Sequence, residues 1–373
     1  MIIGIPKEIK NWENRVSLTP AGTKAFVDCG HEVLIQTSAG FGSGFEDEEY
    51  SKMGARIVPT IEEIFEKSDM IIKVKEPQKS EYPLLREGQM LFTYLHLAVE
   101  PELTDALLHH KVNSIAYETL QTERGELPLL TPMSEIAGRM AVQIGATFLE
   151  SPHGGRGVLL AGVPGVTPAT VVIIGGGVVG LNAAKIAFGM GASVTVLDLN
   201  LNRLRYIDDI FNGKVKTLMS NSFNIAESAK YADLLVGAVL IPGSKAPHLV
   251  SEKTVKTMKK GSVIVDVAID QGGIFETIDR VTTHENPVYE KHGVMHYSVA
   301  NIPGAVSRTS TIALTNATLP YALKLANKGF IKAVKTSPEL ASGVNTCQGH
   351  LVSKPVAESL GVEHQELSLI IGF

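Results

Sequence analysis

The run Val171-Val172-Ile173-Ile174-Gly175-Gly176-Gly177-Val178-Val179-Gly180 joins a four-residue apolar strand to a G-x-G-x-x-G turn. Glycine runs are common in turns, so the context carries the argument. Leu181–Met190 continues as a helical pattern, Ser193–Leu197 reads as the next strand, and Asp198 falls 21 residues after Gly177. Strand, glycine turn, helix, strand and terminal carboxylate together make a dinucleotide-binding fingerprint. Gly175 permits the tight turn, Gly177 lets a pyrophosphate approach the backbone, and Gly180 lets helix and strand pack closely. The helix N-terminus offers N–H groups and a positive dipole end to phosphate. Asp198 accepts hydrogen bonds from ribose hydroxyls and repels a 2′-phosphate, so the expected cofactor is NAD and not NADP. Arg203, five residues on, is a second candidate neighbour, against the adenine.

On both sides of this run, short apolar stretches alternate with amphipathic ones, the pattern of parallel α/β architecture. Strands are expected near 2–5, 32–37, 56–58, 70–74, 90–94 and 113–117. A second series is expected near 171–174, 193–198, 215–218, 233–237, 262–267 and 295–300. Helices are expected at Ala21–Cys29, Glu46–Met53, Ile61–Lys67 and Pro101–His110. Ser134 reads as the N-cap of a long helix on which Ile136, Met140, Ile144 and Phe148 recur every four residues. A second long helix, Thr309–Asn327, contains Pro320, where a kink is expected. Val158–Pro168 reads as a projecting hairpin or arm, and the last 45 residues as an appendix too small to fold alone. The expected fold class is α/β with two doubly wound domains. A Rossmann NAD-binding domain, residues 135–304, is inserted into a discontinuous substrate domain, residues 1–134 and 305–373, and two long helices link them.

The 373 residues are 44% hydrophobic and 20% charged, which excludes disorder as the main state. With 34 basic against 39 acidic residues, the charge balance argues against a nucleic-acid or polybasic membrane binder. Cys29 and Cys347 are too few and too far apart for a disulfide framework or cysteine zinc site, and both read as buried or semi-buried thiols. Met1–Glu8 is charged too early for a secretory segment, and glycines, Asn182 and Lys185 disqualify 171–198 as a membrane span. The expectation is a soluble protein of a reducing compartment, the cytoplasm, with no membrane and no nucleic-acid partner.

Chemistry-bearing side chains stand at the expected carboxyl ends of strands. Arg15 follows the first, Lys73 and Lys75 end the strand at Met70–Val74, and His96 follows Met90–Tyr94. An Arg clamps a carboxylate bidentately, Lys adds a point charge, and His exchanges a proton near neutrality. This set fits a small carboxylate substrate. Taken singly, Arg15 also fits a surface ion pair, His96 a core imidazole and Lys75 a solvated side chain. Asp270, in a glycine-rich loop after the strand ending at Val267, fits an acid/base role or a turn cap. Ser220, Val239-Leu240, Val267–Asp270 and Ser298–Ile302 border the same crevice as the glycine turn. No histidines have metal-ligand spacing, and no catalytic metal is expected.

Several segments together resemble the alanine dehydrogenase family. They are Gly4-Ile5-Pro6-Lys7-Glu8 through Arg15-Val16-Ser17-Leu18-Thr19-Pro20, Lys73-Val74-Lys75-Glu76-Pro77, and Leu91-Phe92-Thr93-Tyr94-Leu95-His96-Leu97-Ala98. Met133-Ser134-Glu135-Ile136-Ala137-Gly138-Arg139, the glycine fingerprint, Asp266–Gly273 and Val299-Ala300-Asn301-Ile302-Pro303-Gly304 complete the resemblance, which spans residues 1 to about 360. It implies NAD-dependent, reversible oxidative deamination of L-alanine to pyruvate and ammonia by a homohexamer. Arg15 and Lys75 would hold the substrate carboxylate and carbonyl, and His96 with Asp270 would be the proton-transfer pair. Tyr94, Met133 and Asn301 would line the pocket. Ser134, Val178, Val179, Asp198, Arg203, Ser220, Val239, Leu240 and Arg280 would contact NAD, beside the glycine turn Gly175, Gly177 and Gly180. The strand-end loops Val267, Ala268, Ile269, Asp270 and Val299, Ala300, Asn301, Ile302 would also border it.

Three rivals share parts of this pattern. An NAD(H)-binding component of a proton-translocating transhydrogenase resembles the family along most of the chain, but it has no use for His96 with Asp270. A non-catalytic NAD-responsive binding protein would keep the turn without needing the Arg15, Lys75, His96 and Asp270 set. Saccharopine-type dehydrogenases share the Lys7-Glu8…Arg15 pattern and act on larger substrates.

Overall fold

The structure, a computed structural model, describes residues 1–239 and 246–372. Two compact units divide the chain: Met1–Met133 with Val306–Phe373, and Ser134–Ala305. The first contains strands β1 (Ile2–Ile5), β2 (Glu32–Gln36), β3 (Arg56–Val58), β4 (Met70–Ile72), β5 (Met90–Thr93) and β6 (Asn113–Ala116). The second contains β7 (Thr170–Ile174), β8 (Ser193–Asp198), β9 (Lys216–Met219), β10 (Leu234–Gly237), β11 (Val263–Asp266), β12 (Val288–Lys291) and β13 (Val294–Tyr297). The chain then adds β14 (Val344–Cys347) and β15 (His350–Leu351) to the first unit.

The two sheets run β15-β14-β6-β5-β4-β1-β2-β3 and β12-β13-β11-β10-β7-β8-β9. Within each, six strands pair in parallel in the same spatial pattern, 3-2-1-4-5-6, and antiparallel strands sit only at one edge. That pattern places a topological switch point between β1 and β4 in one unit and between β7 and β10 in the other. Loops leaving the carboxyl ends of strands open a crevice there.

The apolar runs are continuous because both faces of the second sheet are buried. Val171, Ile173, Leu234, Val236, Val263 and Val265 pack with Ala183, Ala184 and Ala187 of the helix Val178–Gly189. Their neighbours Val172, Ile174, Leu235 and Ile264 point the other way, onto Ile225 and Ala229 of the helix Ser222–Tyr231. In the first unit Leu34, Ile71 and Leu91 share a cluster with Ile64, Phe65, Leu103 and Leu107 from two helices.

Several expectations need correction. The long helix is Thr131–Phe148, so Ser134 lies in its first turn and is not its N-cap. Pro132, which suits a helix's first turn, marks the true start. The boundary Met133/Ser134 falls inside this helix, whereas the other long helix, Ser307–Lys328, begins just after the boundary Ala305/Val306 and runs on through Pro320 as one helix. The C-terminal tail is no appendix: β14 pairs antiparallel with β6, and Ser114 and Thr346 hydroxyls meet at 2.7 Å. Cys29, at a helix C-cap, is exposed, while Cys347 is buried. Within 158–168, an antiparallel bridge joins Val163 and Val166.

Candidate active site

The loop after β1 carries Arg15, whose side chain is only 2% exposed. A guanidinium cannot be buried without a partner, and Glu13 supplies it. Arg15 Nε and Nη2 donate to the two Glu13 carboxylate oxygens, each at 2.6 Å, and Nη1 lies 3.2 Å from Met133 Sδ. Burial alone would raise the Glu13 carboxyl, but the Arg15 charge and hydrogen bonds hold it below the usual carboxylate range, and Lys75 adds to this. Arg15, Glu13 and Lys75 therefore form one electrostatic group, with Met133 against it.

The two lysines at the end of β4 part company. Lys73 is fully buried between Glu8 (3.1 Å) and Glu81 (2.9 Å) and belongs to the framework. Glu8 Oε1 also accepts the N–H of Val74 at 2.6 Å and of Lys75 at 3.4 Å. Burial raises the Glu8 carboxyl, with Lys73 opposing it. The Lys75 carbonyl in turn accepts the Thr93 hydroxyl at 2.9 Å, so its backbone is anchored on both sides while the side chain is half-buried.

β5 leads to Tyr94 and His96. Tyr94 is buried, donates its hydroxyl to the Leu129 carbonyl at 2.6 Å, and packs edge-on against Tyr117. Its phenol is raised by burial. His96 is exposed and takes a left-handed backbone, φ 52°. Its imidazole lies nearly parallel to the Tyr94 ring, 9° between planes and 6.0 Å between centroids. Arg15, Lys75, Tyr94, His96 and Met133 are thus all in the first unit, beyond the carboxyl ends of strands at and beside its switch point.

In the second unit the glycines show their separate reasons. Gly175 has φ +100°, and a Cβ there would sit 2.7 Å from the Ala238 carbonyl oxygen. A Cβ on Gly180 would lie 1.8 Å from the Gly175 oxygen, so helix and strand touch through backbone. Around Gly177, by contrast, a Cβ would meet nothing within 4 Å among the described residues. That open space lies at the N-terminus of Val178–Gly189, where Val178 is half-buried and Val179 buried. Asp198 Oδ2 accepts the Gly176 N–H at 2.6 Å, and the Asp198 carbonyl accepts the Ser220 N–H at 3.0 Å. Arg203 Nε donates to the Gly176 carbonyl, and the guanidinium lies over Tyr206. These residues fit a dinucleotide: a tight turn, an open approach to the backbone, and a carboxylate fixed at the second strand's end.

Val239 follows β10 beside Gly175, and Leu240 lies outside the described residues. The loop Val267, Ala268, Ile269, Asp270 is held from beneath by Asp266, which accepts the N–H groups of Ala268 (2.9 Å) and Ile274 (2.7 Å). Asp270 is exposed. Val299, Ala300, Asn301 and Ile302 follow β13, with Asn301 left-handed at φ 65°. Asn301, expected in the substrate pocket, belongs to this second unit, as does Ser134. Arg280 stacks over Tyr289 at 4.2 Å, and its carbonyl accepts the Ser298 hydroxyl, which places its backbone at the end of β13.

Burial pushes the Asp266 carboxyl up to about 6 from 3.8. A carboxyl raised in the folded state holds its proton more tightly there than in the unfolded chain. Its contribution is therefore greatest below pH 4 and is lost as pH rises through 6, about 3 kcal/mol in all. Asp266→Asn should flatten the fall in stability over that window in denaturant titrations. A slope equal to wild type would mean that Asp266 ionises normally.

Glu8, Glu13 and Glu118 escaped the sequence reading. Glu8 and Glu13 stand in the segment that includes Arg15, and Glu118 follows β6 at a strand end. Position at a strand's carboxyl end was the available signal for Glu118, and the i,i+2 spacing from Arg15 for Glu13; the contacts of Glu8 come only from tertiary structure. Among the described residues, no group of three or more His, Cys, Asp or Glu is placed to hold a metal ion. Nor is any described helix long and apolar enough to cross a membrane.

Twin largely parallel sheets, a dinucleotide turn on one and a cationic cluster with an exposed imidazole on the other define a dinucleotide-dependent oxidoreductase. Residues 4–137 match "Alanine dehydrogenase/PNT, N-terminal domain" and residues 141–354 match "Alanine dehydrogenase/PNT, C-terminal domain". The chain belongs to the alanine dehydrogenase/PNT family. It is 66% identical over 359 residues to an alanine dehydrogenase of Methanococcus maripaludis, covering 96% of each chain. An alanine dehydrogenase of Bacillus subtilis is 61% identical over 364 residues, 98% of this chain and 96% of that one. A solved L-alanine dehydrogenase superposes with TM-score 0.94 at 52% identity, covering 97% of this chain and 99% of the other. A transhydrogenase from Sinorhizobium meliloti shares the fold, with TM-score 0.82 at 24% identity over 95% of this chain and 99% of that one.

Proposed function

We propose that this chain catalyses the reversible, NAD-dependent oxidative deamination of L-alanine to pyruvate and ammonia. The observation that carries the reading is the grouping of Arg15, Lys75, Tyr94, His96 and Met133 beyond one sheet's strand ends, in a chain 66% identical to an alanine dehydrogenase. Arg15, oriented by Glu13, and Lys75, anchored through its backbone, hold the substrate carboxylate and carbonyl. Tyr94, Met133 and Asn301 shape the pocket. His96 and Asp270 move the protons that leave the amine and the water as the C–N bond is exchanged for C=O. The turn at Gly175, Gly177 and Gly180, with Ser134, Val178, Val179, Asp198, Arg203, Ser220, Val239, Leu240 and Arg280, holds NAD, as do the loops Val267–Asp270 and Val299–Ile302. When bound, NAD supplies the acceptor for the hydride from the substrate's α-carbon. The same reading makes the protein a cytoplasmic homohexamer, which light scattering of the purified chain would test.

Absorbance at the NADH band, with NAD and L-alanine at alkaline pH, tests the reaction; D-alanine, L-glutamate and NADP serve as controls. NADH formed with L-alanine alone is the expected result. Tight NADH binding without turnover would favour the transhydrogenase-like or sensor alternatives. Asp198→Ala should lower the ratio of kcat/KM for NAD to that for NADP, because the carboxylate that repels a 2′-phosphate is gone. An unchanged ratio would assign the preference to Arg203 or the backbone.

A further inference from the structure

Left-handed backbone is disfavoured for a residue with a Cβ and persists only where its surroundings hold it. His96 is such a residue, and a carboxylate from the neighbouring strand's end holds it. Strands β5 and β6 run parallel with Thr93 beside Ala116, and the pairing continues through the Tyr117 N–H to the Thr93 carbonyl at 2.9 Å. Two residues further, Glu118 comes level with Leu95. Its Oε1 accepts the N–H of His96 at 2.7 Å and that of Leu95 at 3.2 Å; Oε2 also lies 3.2 Å from the Leu95 nitrogen. The imidazole then lies along the Tyr94 ring, itself fixed by the Leu129 carbonyl and by Tyr117.

We propose that Glu118 is a positioning residue for proton transfer: its carboxylate clamps the Leu95–His96 backbone in the left-handed turn and thereby sets the imidazole on Tyr94. The consequence for turnover rests on the alanine dehydrogenase reading; the clamp itself does not. A hydrogen-bond clamp needs reach and an acceptor, and has no need of charge. Glu118→Gln keeps an acceptor oxygen at the same reach, Glu118→Asp keeps the charge but falls a methylene short, and Glu118→Ala keeps neither.

Two readouts on the full chain test this, crystal structures of the variants and steady-state kinetics with L-alanine. The Gln variant should retain His96 at positive φ, its stacking on Tyr94 and most of kcat. The Asp and Ala variants should lose the left-handed turn, and their kcat should fall about 100-fold, the scale of a misplaced catalytic group. Their KM for L-alanine and Kd for NADH should stay near wild type, which a general loss of structure would not allow. If the Ala variant does not fold, the contrast between Asp and Gln decides. A positive φ at His96 in the Asp variant, or a Gln variant as impaired as Asp, overturns the clamp. A wild-type chain that fails to oxidise L-alanine overturns the parent reading instead, and the crystal structures still decide the clamp.

Discussion

Replacing His96 by alanine is expected to abolish L-alanine turnover while leaving NADH affinity within a few-fold of wild type. The imidazole is assigned to proton transfer and belongs to the first unit, and the glycine turn and Asp198 belong to the second, so the substitution removes none of the groups assigned to hold NAD. A positioned acid/base group contributes about 100- to 10,000-fold, and kcat should fall by at least that scale. The backbone complicates a simple alanine variant, because alanine at φ 52° is strained. His96→Asn is the companion, since asparagine tolerates the left-handed region and removes the imidazole all the same. Both variants should be inactive in the NADH absorbance assay and should bind NADH in fluorescence titrations. Activity in the Asn variant would trace the alanine defect to strain, and lost NADH binding in both would sink the assignment of His96 to proton transfer.

Sequence patterns of short range carried the fold well. Apolar runs such as Val171–Ile174 and Val263–Val265 sit between faces that are both buried, so hydrophobicity alone marks them. The strands without a local signature are the antiparallel ones, gathered at one end of each sheet. Val288-Tyr289-Glu290-Lys291 mixes charge with apolar residues because only β13 pairs with it, and Val344-Asn345-Thr346-Cys347 becomes a strand through β6 and the Ser114 hydroxyl. Neither fact exists in the local sequence. The same division runs through the site. The strand ends after β1, β4 and β5 pointed to Arg15, Lys75 and His96 as residue types in a pattern. The partner of each is a carboxylate: Glu13 lies two residues from Arg15 in the chain, while Glu8 beneath Lys75 and Glu118 at His96 are reached only in space. Lys73 illustrates the reverse, because its type and position match Lys75 and only full burial between Glu8 and Glu81 separates them.

Gly177 and Gly180, read together from one motif, should fail for opposite reasons when each is changed to alanine. A Cβ on Gly180 would stand 1.8 Å from the Gly175 oxygen and 3.2 Å from Ile173 Cγ2, so the helix Val178–Gly189 must move off the strand or the turn must open. Overpacking against backbone costs about 1–3 kcal/mol, and the first turn that faces the phosphates moves with it. Gly180→Ala should therefore lower the melting temperature by several degrees and weaken NADH binding. Gly177 has φ −63° and ψ −160°, extended backbone open to any residue, and space around its missing Cβ. Gly177→Ala should melt like wild type. It should nevertheless weaken NADH binding about 100-fold, or about 2.7 kcal/mol, because the new methyl occupies the approach assigned to the pyrophosphate. Thermal melts and NADH titrations on the two variants read the two effects independently. Wild-type NADH affinity in Gly177→Ala would mean that the cofactor does not approach the turn there, whereas an unstable Gly177→Ala would mean that the space is filled by the protein's own motion and was never kept for a ligand.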